Sequence, residues 1–295
     1  MLPWWMKIFG KLLLSRMPIS YRLFARLGVF RHGHMDNTDY AYGVFKKHFA
    51  SKPGKGAWVG AEIGPGDSVF SAILAQAHGA TGYWLIDAGD FADRRLDRYL
   101  QMATSLEDRG VLTGIASLAD TGEFGTLLDR CKAHYLTDGV DSMSQVPDGS
   151  VDFVWSHAVL EHIRADRFDD FCRQMYRVLT VGGSASHQVD FQDHLVSGLN
   201  NLRFSSVFWE REWFAAKSGF YTNRIRQRAM RTAFEKVGFV VHVIDESRWS
   251  HMPTPRSKLS SEFRCLEESD LLVSGCHFVL TKSDKTVGLY NTATA

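Results

Sequence analysis

At 295 residues, 45% apolar and 23% charged, the chain is long enough to bury a full α/β core and has the composition of a globular protein. A net charge of +1 argues neither for nor against a nucleic-acid partner, but the lack of a basic stripe with interleaved aromatics beyond the N-terminus argues against one. No apolar run approaches the roughly 20 residues of a membrane-spanning helix. The four cysteines lack CxxC or zinc-type spacing, and no small-residue cleavage site follows the opening residues. A reducing, cytoplasmic setting is the expectation.

The first 35 residues carry Lys7, Lys11, Arg16, Arg22, Arg26 and Arg31 and no acid. Trp4, Ile8 and Leu12 recur at helical spacing, predicting helices over 3–15 and 19–29 separated around Pro18. A third helix is expected over 36–50, with Asp36 or Asn37 as its cap. Residues 1–50 therefore read as an N-terminal helical cap with two open roles. One is packing over a site; the other is peripheral membrane contact through residues 1–31, with Trp4 and Trp5 as interfacial anchors.

The loop 51–56 opens a second unit, 51–295, in which strands and helices alternate. Strands are predicted over 57–63, 82–87, 133–136, 151–156 and 183–189. Helices are predicted over 68–77, 93–105 and 167–178. A helix over 223–237 and strands over 240–245 and 277–281 complete the pattern. Residues 190–221 fit no strand–helix unit and read as an insertion after strand 5 that covers the substrate. The pattern predicts a Rossmann-like α/β fold with a seven-stranded, mostly parallel sheet.

The most informative stretch is 59–68, VGAEIGPGDS, a strand running through Glu62-Ile63-Gly64-Pro65-Gly66 into a helix. Glycines here permit a tight turn and close approach of a ligand. Three details point away from a dinucleotide: Val69 stands where a third glycine would, Pro65 removes an N–H donor, and Glu62 repels phosphate. A carboxylate suits a cation, and S-adenosylmethionine is a phosphate-free adenosine compound carrying ammonium and sulfonium charges. Asp87, about twenty residues on at the end of strand 2, suits ribose hydroxyls.

Residues 57–189 resemble the class I methyltransferase domain of the type 11 kind. The likeness rests on AEIGPGDS, WLIDAGD, YLTDG, PDGSVDFVWSHAVLEHI and MYRVLTVGG. It implies an S-adenosylmethionine-dependent enzyme in which Glu62, Gly64, Pro65 and Gly66 line the methionine end and Asp87 holds the ribose. Ala88 would lie beside the adenine, Asp138 and Gly139 at its edge, and Ser156 and His157 on the methionine carboxylate side.

Methyl transfer to a hydroxyl needs a base or a metal ion to free the oxygen lone pair. Polar residues gather beyond strands 4 and 5, where ligands bind in such sheets. His162, His187 and Asp190 are the candidate catalytic groups. Glu161, His162, His187 and Asp190 form a candidate ligand set for Mg²⁺ or another divalent cation. Related O-methyltransferases of the ubiquinone-pathway and small-RNA types hold Mg²⁺ through Glu-x-x-Glu-His. Here Ala158 replaces the first Glu, and a Leu-Glu-His segment without metal is the competing reading. His194 reads as structural.

Aromatic and amide residues of the insertion, such as Phe204, Trp209, Asn200 and Asn201, suit either a sugar or ordinary packing. Arg224 and Arg226 suit either an acidic acceptor group or a solvated helix face. NNLRFS, GFYTNRIR and VDFQDH are similar in style to bacterial methyltransferases of surface-polysaccharide and glycolipid loci. That likeness makes a glycan hydroxyl the leading acceptor, with a small natural product or a quinone as the alternative. A non-catalytic cofactor-binding protein is a third reading.

Overall fold

The structure is a computed structural model and describes residues 3–15, 34–111, 123–216 and 218–283. Its sheet has seven strands: β1 (Trp58–Ile63), β2 (Ala80–Ile86), β3 (Ala133–Leu136), β4 (Val151–His157), β5 (Leu179–Asp190), β6 (Phe239–Arg248) and β7 (Val273–Lys282). They lie in the order β3-β2-β1-β4-β5-β7-β6. All pairs from β3 to β5 are parallel, and β7 runs antiparallel to both β5 and β6. This is a Rossmann-like α/β fold. The order in which strands are added reverses at β1, from β2 on one side to β4 on the other, and the carboxyl ends of strands at such a switch point are where ligands bind in sheets of this kind.

The helices are α1 (Trp4–Ser15), α2 (Thr38–Phe49), α3 (Phe70–Ala77), α4 (Leu96–Glu107), α5 (Phe124–Arg130), α6 (Ala165–Val178) and α7 (Gln227–Val237), with one-turn pieces elsewhere. Asn37 caps α2 through its side chain, which accepts the Tyr40 amide. One sheet face buries Phe45, Trp58, Phe70, Tyr83, Phe153 and Trp155 under α2 to α5. The other buries Val154, Phe168, Met175, Ala185, Phe234 and Phe278 under α6 and α7. Burial of this kind stabilises at roughly 25 cal/mol per Å² of apolar surface.

Several boundaries differ from the sequence reading. Strand 5 extends back to Leu179, and the helix expected from 223 begins at Gln227 because 221–226 are irregular, with Arg224 in the left-handed region at φ +61°. Helix α5 is absent from the sequence reading; Gly125 lies in its first turn and Leu127 is its one buried residue, so its periodicity is weak. The helix predicted over 19–29 lies outside the described residues, as do Arg16, Arg22, Arg26 and Arg31.

The insertion folds as short turns around a core of its own, in which Leu195, Trp209, Phe214 and Phe220 pack with Ile8 of α1. Lys7 donates to the Leu195 carbonyl and Lys11 to the Gly219 carbonyl, fastening α1 to the insertion. With both lysines turned inward, Trp5, Phe9 and Leu13 face outward, Phe9 being 69% exposed. Among the described residues, no helix is long and apolar enough to cross a membrane.

Candidate cofactor and acceptor site

The turn after β1 needs its glycines. Gly64 (φ +72°) and Gly66 (φ +67°) both lie in the left-handed region, and a Cβ on Gly64 would come within 2.5 Å of Val159. The Gly64 amide donates to the Ile86 carbonyl, tying the turn to β2. Asp87 accepts the Gly66 amide on one carboxylate oxygen (2.8 Å) and the Ala88 amide on the other (2.7 Å). Gly139 donates its amide to the Asp87 carbonyl, and a Cβ there would lie 3.8 Å from Ala88. Gly64, Pro65, Gly66, Asp87, Ala88, Asp138 and Gly139 thus converge above the ends of β1, β2 and β3. The carboxylate of Asp87, buried, fixes the turn with both of its oxygens.

Two cofactor expectations change. Glu62 was expected to present a carboxylate to a cation. It is buried with its carboxyl bonded to the Ser71 hydroxyl, and burial, reinforced by Asp87, pushes its pKa up to about 8. In the unliganded chain at neutral pH it is mostly protonated, and a cation placed beside it would draw the proton off. Ser156 was expected on the methionine carboxylate side. It points instead to the α6–α7 face, fully buried, with its hydroxyl 2.7 Å from His187 Nδ1.

His187 does not join the catalytic or metal cluster. It shares its sheet face with Val189, stacks on Phe234 and lies 3.1 Å from the Met175 sulfur. Burial lowers its pKa to about 3, so it is a neutral core histidine. His194 takes the place expected for it: one ligand atom each from Glu161, His162 and His194 lie within 4.8 Å of one another. His162 Nδ1 is 2.9 Å from the Tyr221 carbonyl, a bond that makes Nδ1 the donor and leaves the lone pair on Nε2. His194 Nε2 is 3.8 Å from Asp190, whose other oxygen accepts the Gln192 amide. Ala158, in the left-handed region at φ +54°, offers no ligand atom.

Glu161 is the unusual member. It is 2% exposed, and neither carboxyl oxygen has a hydrogen-bond partner. Burial, with Asp190 adding to it, raises its pKa well above the carboxylate range. An uncompensated buried carboxyl costs stability. Beside two imidazoles it has the donor chemistry of a divalent transition-metal ligand. It opens on a cavity of about 10 Å³, room for a single water, whose lining includes Asp190, Gln192, Asn201, Thr222 and Asn223.

The insertion's polar residues hold the chain itself. Asn200 donates to Asp193, Asn201 to Thr222, and Arg203 to Asn200 while covering Trp4. Arg224 lies between Trp209 and Phe263 and donates to the Phe204 carbonyl. Arg226 donates to the carbonyls of Phe191 and Asp270. Both arginines are held by backbone carbonyls, although each also lines the small cavity beside Glu161 with its Nε unpartnered, and the aromatics form a packed core rather than an open platform.

Sequence reading missed a second polar cluster on the α2 face. His157, half-buried at the end of β4, lies 3.1 Å from His48, which continues to Ser186 and His277. The signal was present: His48 shares a helix face with Ala41, Val44 and Phe45, all buried.

Comparison with known proteins bears on the fold. No curated protein matches the chain in sequence. Among solved structures it is similar to the YcgJ protein of Bacillus subtilis, with 13% identity, a TM-score of 0.45, and coverage of 82% of this chain and 99% of that one. It is similar to an S-adenosylmethionine-dependent methyltransferase from Mesorhizobium loti, with 16% identity, a TM-score of 0.44, and coverage of 83% and 99%. It is also similar to phosphoethanolamine N-methyltransferase 2 of Haemonchus contortus, with 15% identity, a TM-score of 0.46, and coverage of 87% of this chain and 55% of that chain. Residues 124–186, from α5 into β5, match the family described as a methyltransferase domain.

Proposed function

We propose that this chain transfers the methyl group of S-adenosylmethionine to a hydroxyl oxygen, with a saccharide or glycolipid as the acceptor class. The reading takes residues 1–50 as a helical cap on a methyltransferase unit spanning 51–295. The turn of Gly64 and Gly66, locked by Asp87 at the point where strand order reverses, carries the cofactor assignment. The cofactor supplies an activated methyl carbon. The protein's task is to align the acceptor oxygen with that carbon and remove its proton.

The orphaned Glu161 carboxyl supports oxygen as the nucleophile. Glu161, His162 and His194 would hold a divalent cation, whose Lewis acidity lowers the pKa of a hydroxyl. Imidazole ligands favour a transition metal over Mg²⁺. His162, with its lone pair directed by the Tyr221 carbonyl, is the alternative base, and Asp190 orients His194. A small natural product or quinone is the alternative acceptor, and it would want a larger, apolar cavity.

Calorimetric titration with S-adenosylhomocysteine tests the cofactor assignment, with micromolar binding expected. No heat at high micromolar concentration overturns it. Cofactor binding with no turnover on any hydroxyl acceptor would revive a non-catalytic role. Membrane contact through residues 1–31 belongs to the glycolipid version, supported by the outward Trp5, Phe9 and Leu13 and the acid-free basic segment. Cosedimentation with anionic but not zwitterionic vesicles is expected; equal recovery with both removes it.

A further inference from the structure

Four side chains from four different elements form one buried hydrogen-bonded chain beneath the end of β4. His277 Nε2 of β7 lies 2.8 Å from Ser186 Oγ of β5, which lies 2.8 Å from His48 Nδ1 of α2. His48 Nε2 then lies 3.1 Å from His157 Nδ1. His48 and Ser186 are fully buried and His277 nearly so, while His157 is partly open. His157 follows Ser156, which pairs in register with Ile63, the residue before Gly64. The open end of the chain therefore lies beside the cofactor turn.

The proton count restricts the chain to three arrangements. A hydroxyl has one hydrogen and two lone pairs, and a neutral imidazole carries one N–H. Ser186 either passes the direction on, all donors pointing toward His277 or all toward His157, or accepts from both imidazoles. The first and the last leave a lone pair on His157 Nε2, and only the arrangement pointing toward His157 places a hydrogen there.

Charged neighbours select between the states. Asp245 of β6 is the cross-strand partner of His277 on the same sheet face, and a carboxylate there favours an N–H at the His277 end. Lys47 of α2, which donates to Gln188, disfavours added positive charge on all three imidazoles. His187 of β5 is neutral, and Trp155 of β4 offers only a ring face to His48. The Tyr40 ring packs edge-on against His157, with His34 behind it.

We propose that His157 is the proton-accepting imidazole of the methyl-transfer site, and that His48, Ser186 and His277 are positioning residues that keep the lone pair on its Nε2. The catalytic part rests on the methyltransferase reading; the tautomer does not. As the C–S bond breaks and the C–O bond forms, the acceptor hydroxyl gives its proton to His157 Nε2. The imidazolium formed keeps its Nδ1–H on His48 and later loses the new proton to water. Docking of α2 thereby completes the site.

The test is ¹⁵N-edited NMR of the imidazoles in the full chain, with kinetics alongside. His157 should show an unprotonated Nε2 and a protonated Nδ1. Ser186→Ala, which disconnects His277, should turn it into a mixture of tautomers. The exposed Asp245→Asn should shift it the same way without touching the fold. Ser186→Ala should also lower kcat by about tenfold at unchanged cofactor KM and displace the acid limb of the pH–rate profile. A protonated His157 Nε2 in the parent chain, or a tautomer indifferent to both substitutions, overturns the proposal. The expected tautomers without any cofactor binding would instead sink the methyltransferase reading and leave the chain of imidazoles standing.

Discussion

Two polar clusters flank the end of β4, and they are built on opposite principles. On the α2 face, His48, His157, Ser186 and His277 satisfy one another. On the insertion side, Glu161 is buried beside His162 and His194 with both carboxyl oxygens unpartnered. A satisfied buried network rigidifies what it joins, whereas an unsatisfied group held by its surroundings costs stability until something binds it. The first cluster therefore reads as a fixture and the second as the place where the proposed cation would be held. Substitutions should separate them by sign as well as by size.

The largest effect belongs to the turn between the clusters. Asp87→Ala removes the acceptor for two backbone amides, and charge-assisted bonds of this kind contribute about 1.5–3 kcal/mol each. Affinity for S-adenosylhomocysteine should fall by about 100-fold or more by calorimetry. Unchanged affinity would mean the ligand does not use this turn, and both clusters would lose their common reference point.

The Glu161 cluster is next. The parent chain should bind Mn²⁺ or Zn²⁺ at one site with proton release, because Glu161 is protonated before it ligates. Glu161→Ala should weaken the ion by about 100-fold, and chelator should abolish activity. Full activity in chelator would leave His162 to be judged as a base alone, and would remove the contrast between the clusters.

Stability gives a cleaner contrast, because it needs no ligand. His48→Phe keeps volume but strands Ser186 and His157, and should cost about 2–4 kcal/mol in urea unfolding. Glu161→Gln in metal-free protein replaces an orphaned acid by a neutral amide and should be neutral or stabilising by about 1 kcal/mol. Equal losses would show that Glu161 is satisfied in solution and that the clusters do not differ.

These differences explain what could be read from the sequence. The order of strands and helices followed from periodicity and turn residues, and VGAEIGPGDS announced its turn because positive φ restricts the residue type. Glu161 and His162 were legible as neighbours in the chain. His194 joins them only because the insertion folds back, and His187 leaves because one residue of strand register turns it to the opposite face. The imidazole chain draws on positions 48, 157, 186 and 277, whose proximity depends on β7 lying between β5 and β6. Arg224 and Arg226 resembled anion-binding residues until the structure showed carbonyls as their partners. No local pattern encodes such long-range pairings.

The last contrast is in the pH dependence of stability, where the two kinds of buried group pull in opposite directions and partly cancel. The unfolded chain binds protons on histidine near pH 6.5, but burial first, and neighbouring cations second, hold folded His157 and His277 to about 4. Stability from these groups is full above 6.5 and falls as the pH drops toward 4, where protonation breaks the chain beneath α2. Glu62 behaves inversely: unfolded it loses its proton near 4.5, folded near 8, so its contribution is full below 4.5 and is lost as pH rises to 8. The urea midpoint should pass through a shallow maximum between these limbs. His48→Phe should reduce the acid limb, to which His187 also contributes, and Glu62→Gln the alkaline one, to which Glu161 also contributes, each leaving the other untouched. A single substitution that flattened both would mean the two networks titrate as one unit through Trp155, whose indole N–H bonds Tyr83 on one side and whose ring meets His48 on the other.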